Sequence, residues 1–230
     1  MLHTIKEPTE ARRLTDALRA ASDRSERYTE RVQVEERNAN LQMVLEGAVL
    51  RQRFLADGRR HTVAVYYRDD VINLMGYIGT GRGHSDYLVA LHGSVIGYVP
   101  DPAVRQMRSM APAGHDGMAV LVYRELGIAQ ERLMCLGQRT ALEQMAHFLC
   151  ETLVRCSTPA GNYKVDRCPL HMTQEMLSSV LGLSTVHVNR TLQELRRLKL
   201  ADLVHHELIV HDFEGLARLA EFDDAYLAAI

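Results

Sequence analysis

The sequence has no apolar run long enough to cross a bilayer. A spanning helix needs about 20 apolar residues, and stretches such as Val63-Ala64-Val65-Tyr66-Tyr67 stop far short. No apolar segment follows Met1, so no secretory signal is expected, and the location is read as cytoplasmic with no membrane partner. Cysteine is scarce: Cys135, Cys150, Cys156 and Cys168 are the four in 230 residues, and no C-x-x-C pair occurs. A chain of this length can bury a core without staples, so reduced and mostly buried thiols are expected. No triad-like, paired-carboxylate or metal-ligand constellation stands out. No enzyme activity, bound metal or cofactor is therefore expected.

An excess of charge of one sign is also missing. The chain carries 27 basic and 29 acidic residues, for a net charge of −2. The balance hides a segregation. Residues 159–200 hold six basic groups (Lys164, Arg167, Arg190, Arg196, Arg197, Lys199) against three acids (Asp166, Glu175, Glu194). Residues 201–230 hold Arg218 alone against seven acids. A basic segment followed by an acidic tail suits a nucleic-acid-binding element with a solvated back face.

What is present is patterning. Thr9 can cap a short helix with Leu14, Ala17, Leu18 and Ala21 on one face. Residues 22–40 are highly charged and show no clear period. Leu41–Leu55 and His61–Tyr67 read as strands joined through Ala56-Asp57-Gly58, a hairpin signal. Val71–Ile78 and Tyr87–Val99 read as further strands, with the flexible Gly79–His84 connection between them. Pro100 and Pro102 close this β domain, a short helix follows over Ala103–Met110, and Ala111–Gly114 is a breaker. A long helix is predicted over His115–Leu136. Met118, Val122, Leu126, Ala129, Leu133 and Leu136 fall on one seam that can pair with a second helix, and packing on the chain's own β domain is the competing use of that seam. Gly137 breaks the pattern, a helix runs from Thr140 to Cys156, and Pro159–Pro169 reads as a loop. The domains expected are 1–112, 113–138 and 139–230.

Residues 173–198 carry the functional signal. Thr173 can cap a helix whose apolar positions are Met176, Leu177, Val180 and Leu181, and Gly182 ends it. Ser184 can cap a second helix with Val188, Leu192 and Leu195 inward, and Ser178 is small where the two must pass closely. Two helices set at a steep angle by a short glycine turn make a helix-turn-helix. The second helix would expose Thr185, Val186, His187, Asn189, Arg190 and Gln193, with Arg196, Arg197 and Lys199 trailing toward the duplex backbone. Asn pairs with adenine and Arg with guanine in a bidentate way, while Val186 and the Thr185 methyl suit thymine methyls. Leu203-Val204 and Leu208-Ile209-Val210 flank His205-His206-Glu207 as a β-hairpin wing, and Asp212 caps a last helix containing Leu216, Leu219 and Tyr226. Two packed core helices would show the same apolar spacing; the local basic charge and the wing favour a DNA-binding element.

The stretch from Thr173-Gln174-Glu175 through Gly182-Leu183-Ser184 to Arg196-Arg197 resembles the Crp/Fnr family, in the form found in alphaproteobacterial members, as do His211-Asp212-Phe213 and Leu219–Asp223. Leu45-Glu46-Gly47 and the Asp57-Gly58 hairpin extend the likeness toward the N-terminus. The resemblance implies an α+β chain: an N-terminal antiparallel β-roll of cyclic-nucleotide-binding type, a long dimerisation helix and a C-terminal winged helix-turn-helix. It implies a homodimeric regulator that binds double-stranded DNA and contacts RNA polymerase. Base-reading positions then fall on Thr185, Val186, Asn189 and Arg190, and phosphate-facing ones on Thr173, Gln174, Ser184 and His187; Gln193 and Arg197 extend the same face. Val186 stands where the best-known members have glutamate, so the target sequence should differ.

The sensor expectations are negative. The family's Gly-Glu turn and Arg-Ser/Thr-Ala run, which hold a cyclic nucleotide, are missing from Val71–Gly76 and His84-Ser85-Asp86, and Arg82 lies among glycines. No cysteine precedes Cys135, against an N-terminal iron–sulfur cluster. His61, His84, His92 and His115 are the candidates for a haem, each more ordinary as a structural residue. Cys150 and Cys156 lie on different faces of their helix, and Cys168, in the predicted loop, is the best candidate for a reactive thiol. The effector stays unassigned. The alternative function is a ligand- or redox-sensing module whose winged domain mediates protein contacts.

Overall fold

A computed structural model describes residues 9–34, 40–78, 86–110, 117–156 and 166–227. The chain divides into two compact units, and the division falls between Ile128 and Ala129, inside one helix.

The first unit is built of helix α1 (Thr9–Ala20), strands β1 (Arg24–Tyr28), β2 (Val32–Val34), β3 (Asn40–Glu46), β4 (Ala48–Phe54) and β5 (Arg60–Tyr67), a one-turn helix α2 (Leu74–Ile78), strands β6 (Tyr87–Ala90) and β7 (Ser94–Pro100), and helix α3 (Asp101–Met110). The strands form two antiparallel sheets, ordered β1-β7-β3 and β2-β6-β4-β5. Period-two alternation decides what each face of the first sheet buries. Val44, Ile96 and Tyr98 join Val34, Val49, Tyr66, Ile72, Leu88 and Ala90 in one core drawn from both sheets. Leu41, Met43 and Val99 join Leu18 of α1, Leu74 of α2, Val104 of α3, and Met118 and Leu121 in a second core under the helices. The Asp57-Gly58 hairpin forms as expected between β4 and β5, with Gly58 N donating to Leu55 O at 3.0 Å.

Two segments of the first unit differ from expectation. The charged 22–40 segment contains β1 and β2, which pair with β7 and β6. They lie at sheet edges, so they bury few side chains and their charges are compatible with strand. Val71–Ile78 is not a strand. Val71 makes one isolated bridge to Met43, and the chain then turns into α2. Asn73 drives the turn: its Oδ1 accepts from Gln42 N at 2.8 Å and its Nδ2 donates to Asn40 O at 2.9 Å. The Gly79–His84 connection and the Ala111–Gly114 breaker lie outside the described residues, as do His84 and His115. His92 directs its Nδ1 at the carbonyl of Thr29, 2.5 Å away, a structural bond.

Helix α4 (Gly117–Gln138) runs through Gly137, where a break was expected, and crosses from the first unit to the second. The second unit continues with α5 (Ala141–Cys156), β8 (Arg167–Pro169), α6 (Gln174–Leu181), α7 (Thr185–Arg197), β9 (Ala201–Val204), β10 (Glu207–Val210) and α8 (Phe213–Ala220). A capping box starts α5: Thr140 N donates to Glu143 Oε2 at 2.7 Å, and Glu143 N donates to Thr140 Oγ1 at 3.4 Å. The helix is buried from Gln144 through Arg155 because α6, α7, α8 and β8 surround it. Inside it Glu151 and Arg155 form an ion pair at 2.6 Å, and Tyr226 Oη donates to the second Glu151 oxygen at 3.0 Å. Tyr226 sits in a 3-10 turn at Asp224–Leu227 rather than in the last helix, which Glu221 ends in a left-handed conformation.

Gly47 is the corner at which the chain leaves one sheet for the other. Its φ is +75°, and a Cβ there would lie 2.8 Å from Ser94 Cα. Ser94 Oγ in turn donates to Ala48 O at 2.7 Å. Gly47→Ala is expected to lower stability by at least about 2 kcal/mol, from backbone strain plus a clash with main chain. Gly58→Ala, where the added methyl meets open space, should cost about 1 kcal/mol. Chemical denaturation of both variants checks the difference; equal losses would contradict this view of the corner.

Candidate nucleic-acid interface

Helices α6 and α7 are held by their ends and by one buried stripe. Thr173 Oγ1 accepts from Met176 N at 3.2 Å and caps α6. Gly182 ends α6 in the left-handed region, φ +65°, with its N–H bonded to Ser178 O. Ser178 Oγ donates to Leu183 O at 2.5 Å, which ties the turn to the helix it leaves. Ser184 Oγ then accepts from His187 N at 3.2 Å and caps α7. Met176, Leu177, Val180, Leu181, Val188 and Leu195 are buried, as the 3.6-residue period required. Thr191 is buried as well, and its hydroxyl donates to Val188 O at 2.9 Å.

The opposite face of α7 is bare. Thr185, Val186, His187, Asn189, Arg190, Gln193 and Arg197 are all exposed, as are Thr173, Gln174 and Ser184 beside them. Val186 is 64% exposed, an apolar side chain in water on the first turn of a helix. Arg190 makes no hydrogen bond or ion pair with another described residue and extends free from the helix. Asn189 Nδ2 donates to Gln174 Oε1 at 3.4 Å, so one side chain of α6 steadies one of α7. The cap uses the N–H of His187, which leaves the first N–H groups of α7 facing outward with the positive end of the helix dipole.

The trailing cations are less free than their sequence suggests. Arg197 is held by both oxygens of Glu194, at 2.8 and 2.6 Å. The bond to Arg197 lowers the Glu194 carboxyl below the usual carboxylate range. Arg196 pairs with Asp202 on β9, and His211 approaches the same carboxyl at 3.0 Å. The wing forms where expected, with register Glu207↔Val204 and Leu208↔Leu203. Its tip residues His205 and His206 both have positive φ, the backbone of a tight primed turn.

Two expectations fail around this unit. Arg167–Pro169 is strand β8, paired with β10, rather than loop. Cys168 is therefore buried, and its thiol is pushed well up by its hydrogen bond with Cys156 and by burial. An exposed reactive thiol does not exist there. Along α4, Met118 is buried in the core of the first unit and Val122 packs half-buried against it. Leu126 and Leu133 are 50% and 70% exposed, with Ala129 and Leu136 exposed on the same stripe. Tyr123 and Met134 are exposed as well, off that stripe.

Residues 143–219 match the Crp-like helix-turn-helix domain. Over 177 residues the chain is 28% identical to the nitrogen fixation regulation protein FixK of Bradyrhizobium diazoefficiens, covering 77% of this chain and 72% of that protein. It is also 28% identical over 178 residues to the transcriptional activatory protein AadR of Rhodopseudomonas palustris, covering 76% and 72%. Among solved structures, FixK2 from Bradyrhizobium japonicum shares the fold with a TM-score of 0.71 at 22% identity, over 85% of this chain and 96% of that one. A CRP-family transcriptional regulator from Thermus thermophilus aligns with a TM-score of 0.65 at 17% identity, over 86% and 97%.

Ser184→Ala removes the side-chain acceptor of the α7 cap and is expected to cost about 1 kcal/mol of stability. Gly182→Ala should cost about the same through strain at positive φ, with Leu136 Cδ2 a further 3.3 Å contact. Thermal denaturation followed on the second unit measures both, and a neutral Ser184→Ala would show that the cap contributes nothing.

Proposed function

We infer that this chain, a DNA-binding transcription regulator of the Crp/Fnr family, works as a homodimer on a roughly palindromic operator. The observation that carries the reading is the outer face of α7. It sets an exposed Val186, an unpaired Arg190 and Asn189 beside the outward-facing N–H groups of the helix start. An apolar contact, a bidentate guanidinium and an amide are what reading thymine, guanine and adenine edges requires.

In this reading each α7 lies in a major groove, and the half-sites are about 34 Å apart. Thr185, Val186, Asn189, Arg190 and Gln193 face bases. Thr173, Gln174, Ser184, His187 and Arg197 face phosphates, with His205 and His206 at the wing tip near the adjacent backbone. Leu126, Ala129, Leu133 and Leu136 recur at spacings of three and four, the seam of a two-stranded coiled coil, so the second half of α4 supplies the contact between the two copies. The first unit serves as a sensor-like domain, the dimer works in the cytoplasm, and RNA polymerase is its partner at the promoter. The curated name of the relative from Rhodopseudomonas palustris, a transcriptional activatory protein, supports activation as its mode.

The test is selection of bound duplexes from a random pool by the purified full-length protein, alone and with cell extract added. An inverted repeat is expected. Arg190→Ala should lose about 1–3 kcal/mol at one base of each half-site and relax the preference there. Glu194→Gln frees Arg197 for phosphate, so it should tighten binding and steepen the salt dependence. No enriched motif under either condition, or the same motif from Arg190→Ala, would overturn the assignment.

A further inference from the structure

Three potential ligands converge where the end of α4 meets α5, away from the DNA-reading face. Glu131 and Cys135 stand one helical turn apart on α4, hence on one side of it. His147 faces them from α5. One Glu131 oxygen, the Cys135 sulfur and a His147 ring nitrogen all lie within 4.8 Å of one another. His147 is 3% exposed and Cys135 9%. Phe222 packs edge-on to the imidazole at 5.1 Å and Tyr226 stacks on it at 6.0 Å, so the ring cannot swing away. Its Nε2 has no hydrogen-bond partner. The Glu131 oxygen 3.2 Å away is within ion-pair reach but off the direction a hydrogen bond needs. A buried ring nitrogen without a partner calls for an explanation. A cavity of about 20 Å³ opens beside Cys135 and His147, with Arg132, Gln144 and Glu151 on its wall, room for about one water.

We propose that Glu131, Cys135 and His147 bind a divalent transition-metal ion of the zinc class, with water in the fourth position. The donor set selects the class: one thiolate, one imidazole and one carboxylate suit zinc, whereas magnesium and calcium take oxygen throughout. Tetrahedral zinc places such donor atoms about 3–4 Å apart, so the three need only close in slightly. Binding displaces the Cys135 thiol proton to solvent.

Arg139 holds the place of the cation. Its Nη1 lies 2.7 Å from Glu131 Oε1 and 2.9 Å from Cys135 Sγ, and its Nε is anchored on Ala220 O at 3.1 Å. The metal and this guanidinium therefore compete. Arg139 is also the link between α4 and α5, and Leu136, next to Cys135, touches the position of Gly182 at the helix-turn-helix turn. Exchange of Arg139 for a metal acts on the joint that carries the DNA-reading helices. This regulatory consequence rests on the function proposed above; the metal site does not.

The test uses full-length protein stripped with chelator and titrated with Co²⁺, whose thiolate charge-transfer absorption reports Cys135 directly. One ion per chain is expected, with that absorption lost in Cys135→Ala and His147→Gln and retained in Cys156→Ala. Glu131→Gln, at a half-exposed position, should weaken binding and serves if His147→Gln fails to fold by circular dichroism. Arg139→Gln should bind more tightly than wild type, which a merely structural cluster would not do. No thiolate absorption in the wild type, or absorption unchanged in Cys135→Ala, overturns the site. Zn²⁺ should then shift operator affinity in the wild type but not in Cys135→Ala; an unchanged affinity overturns the regulatory consequence and leaves the site standing.

Discussion

The turn at Gly182 is the constraint on which the outer face of α7, the proposed reading face, depends. Its left-handed backbone stops α6, and the Ser178 hydroxyl fixes the first residue beyond it. From there Ser184 starts α7 at one orientation, and burial of Val188 and Leu195 leaves only the other side of that helix for solvent. Val186 and Arg190 are exposed there, and an apolar residue stands in water at little structural cost.

Electrostatics add a second layer. Arg190 is unpaired, whereas Arg196 and Arg197 are held by Asp202 and Glu194. Moving those cations to phosphates means giving up local ion pairs. Exposed pairs of this kind are weak because water screens them, weaker than a charge-assisted bond to phosphate. In the first unit, Asp86 is engaged by Arg53 at 2.7 Å and approached by Arg51 at 3.9 Å. Both arginines near it already have an anion.

Much of this was legible in the sequence because it rests on local rules. The caps at Thr173, Ser184 and Asp212, the glycine at 182, the wing and the exposed residues of α7 all follow from spacing and residue type. What escaped notice depends on distant partners. The strands at Arg24–Tyr28 and Val32–Val34 are edges whose charges hide them. Leu74–Ile78 is too short for helical and strand periods to differ. Met118 occupies a seam position but is claimed by α1, β3 and α3. The burial of Cys168 comes from pairing between β8 and β10, which lie some forty positions apart. Glu131, Cys135 and His147 sit on two helices, and no spacing motif announces that they meet.

Amide hydrogen exchange of the full-length protein, free and bound to a duplex enriched by selection, tests the central claim most directly. If the outer face of α7 reads the DNA, exchange should slow at the amides of Thr185 and Val186 and at the wing tip, His205 and His206. Unchanged exchange at the start of α7, with protection appearing only elsewhere, would contradict the account.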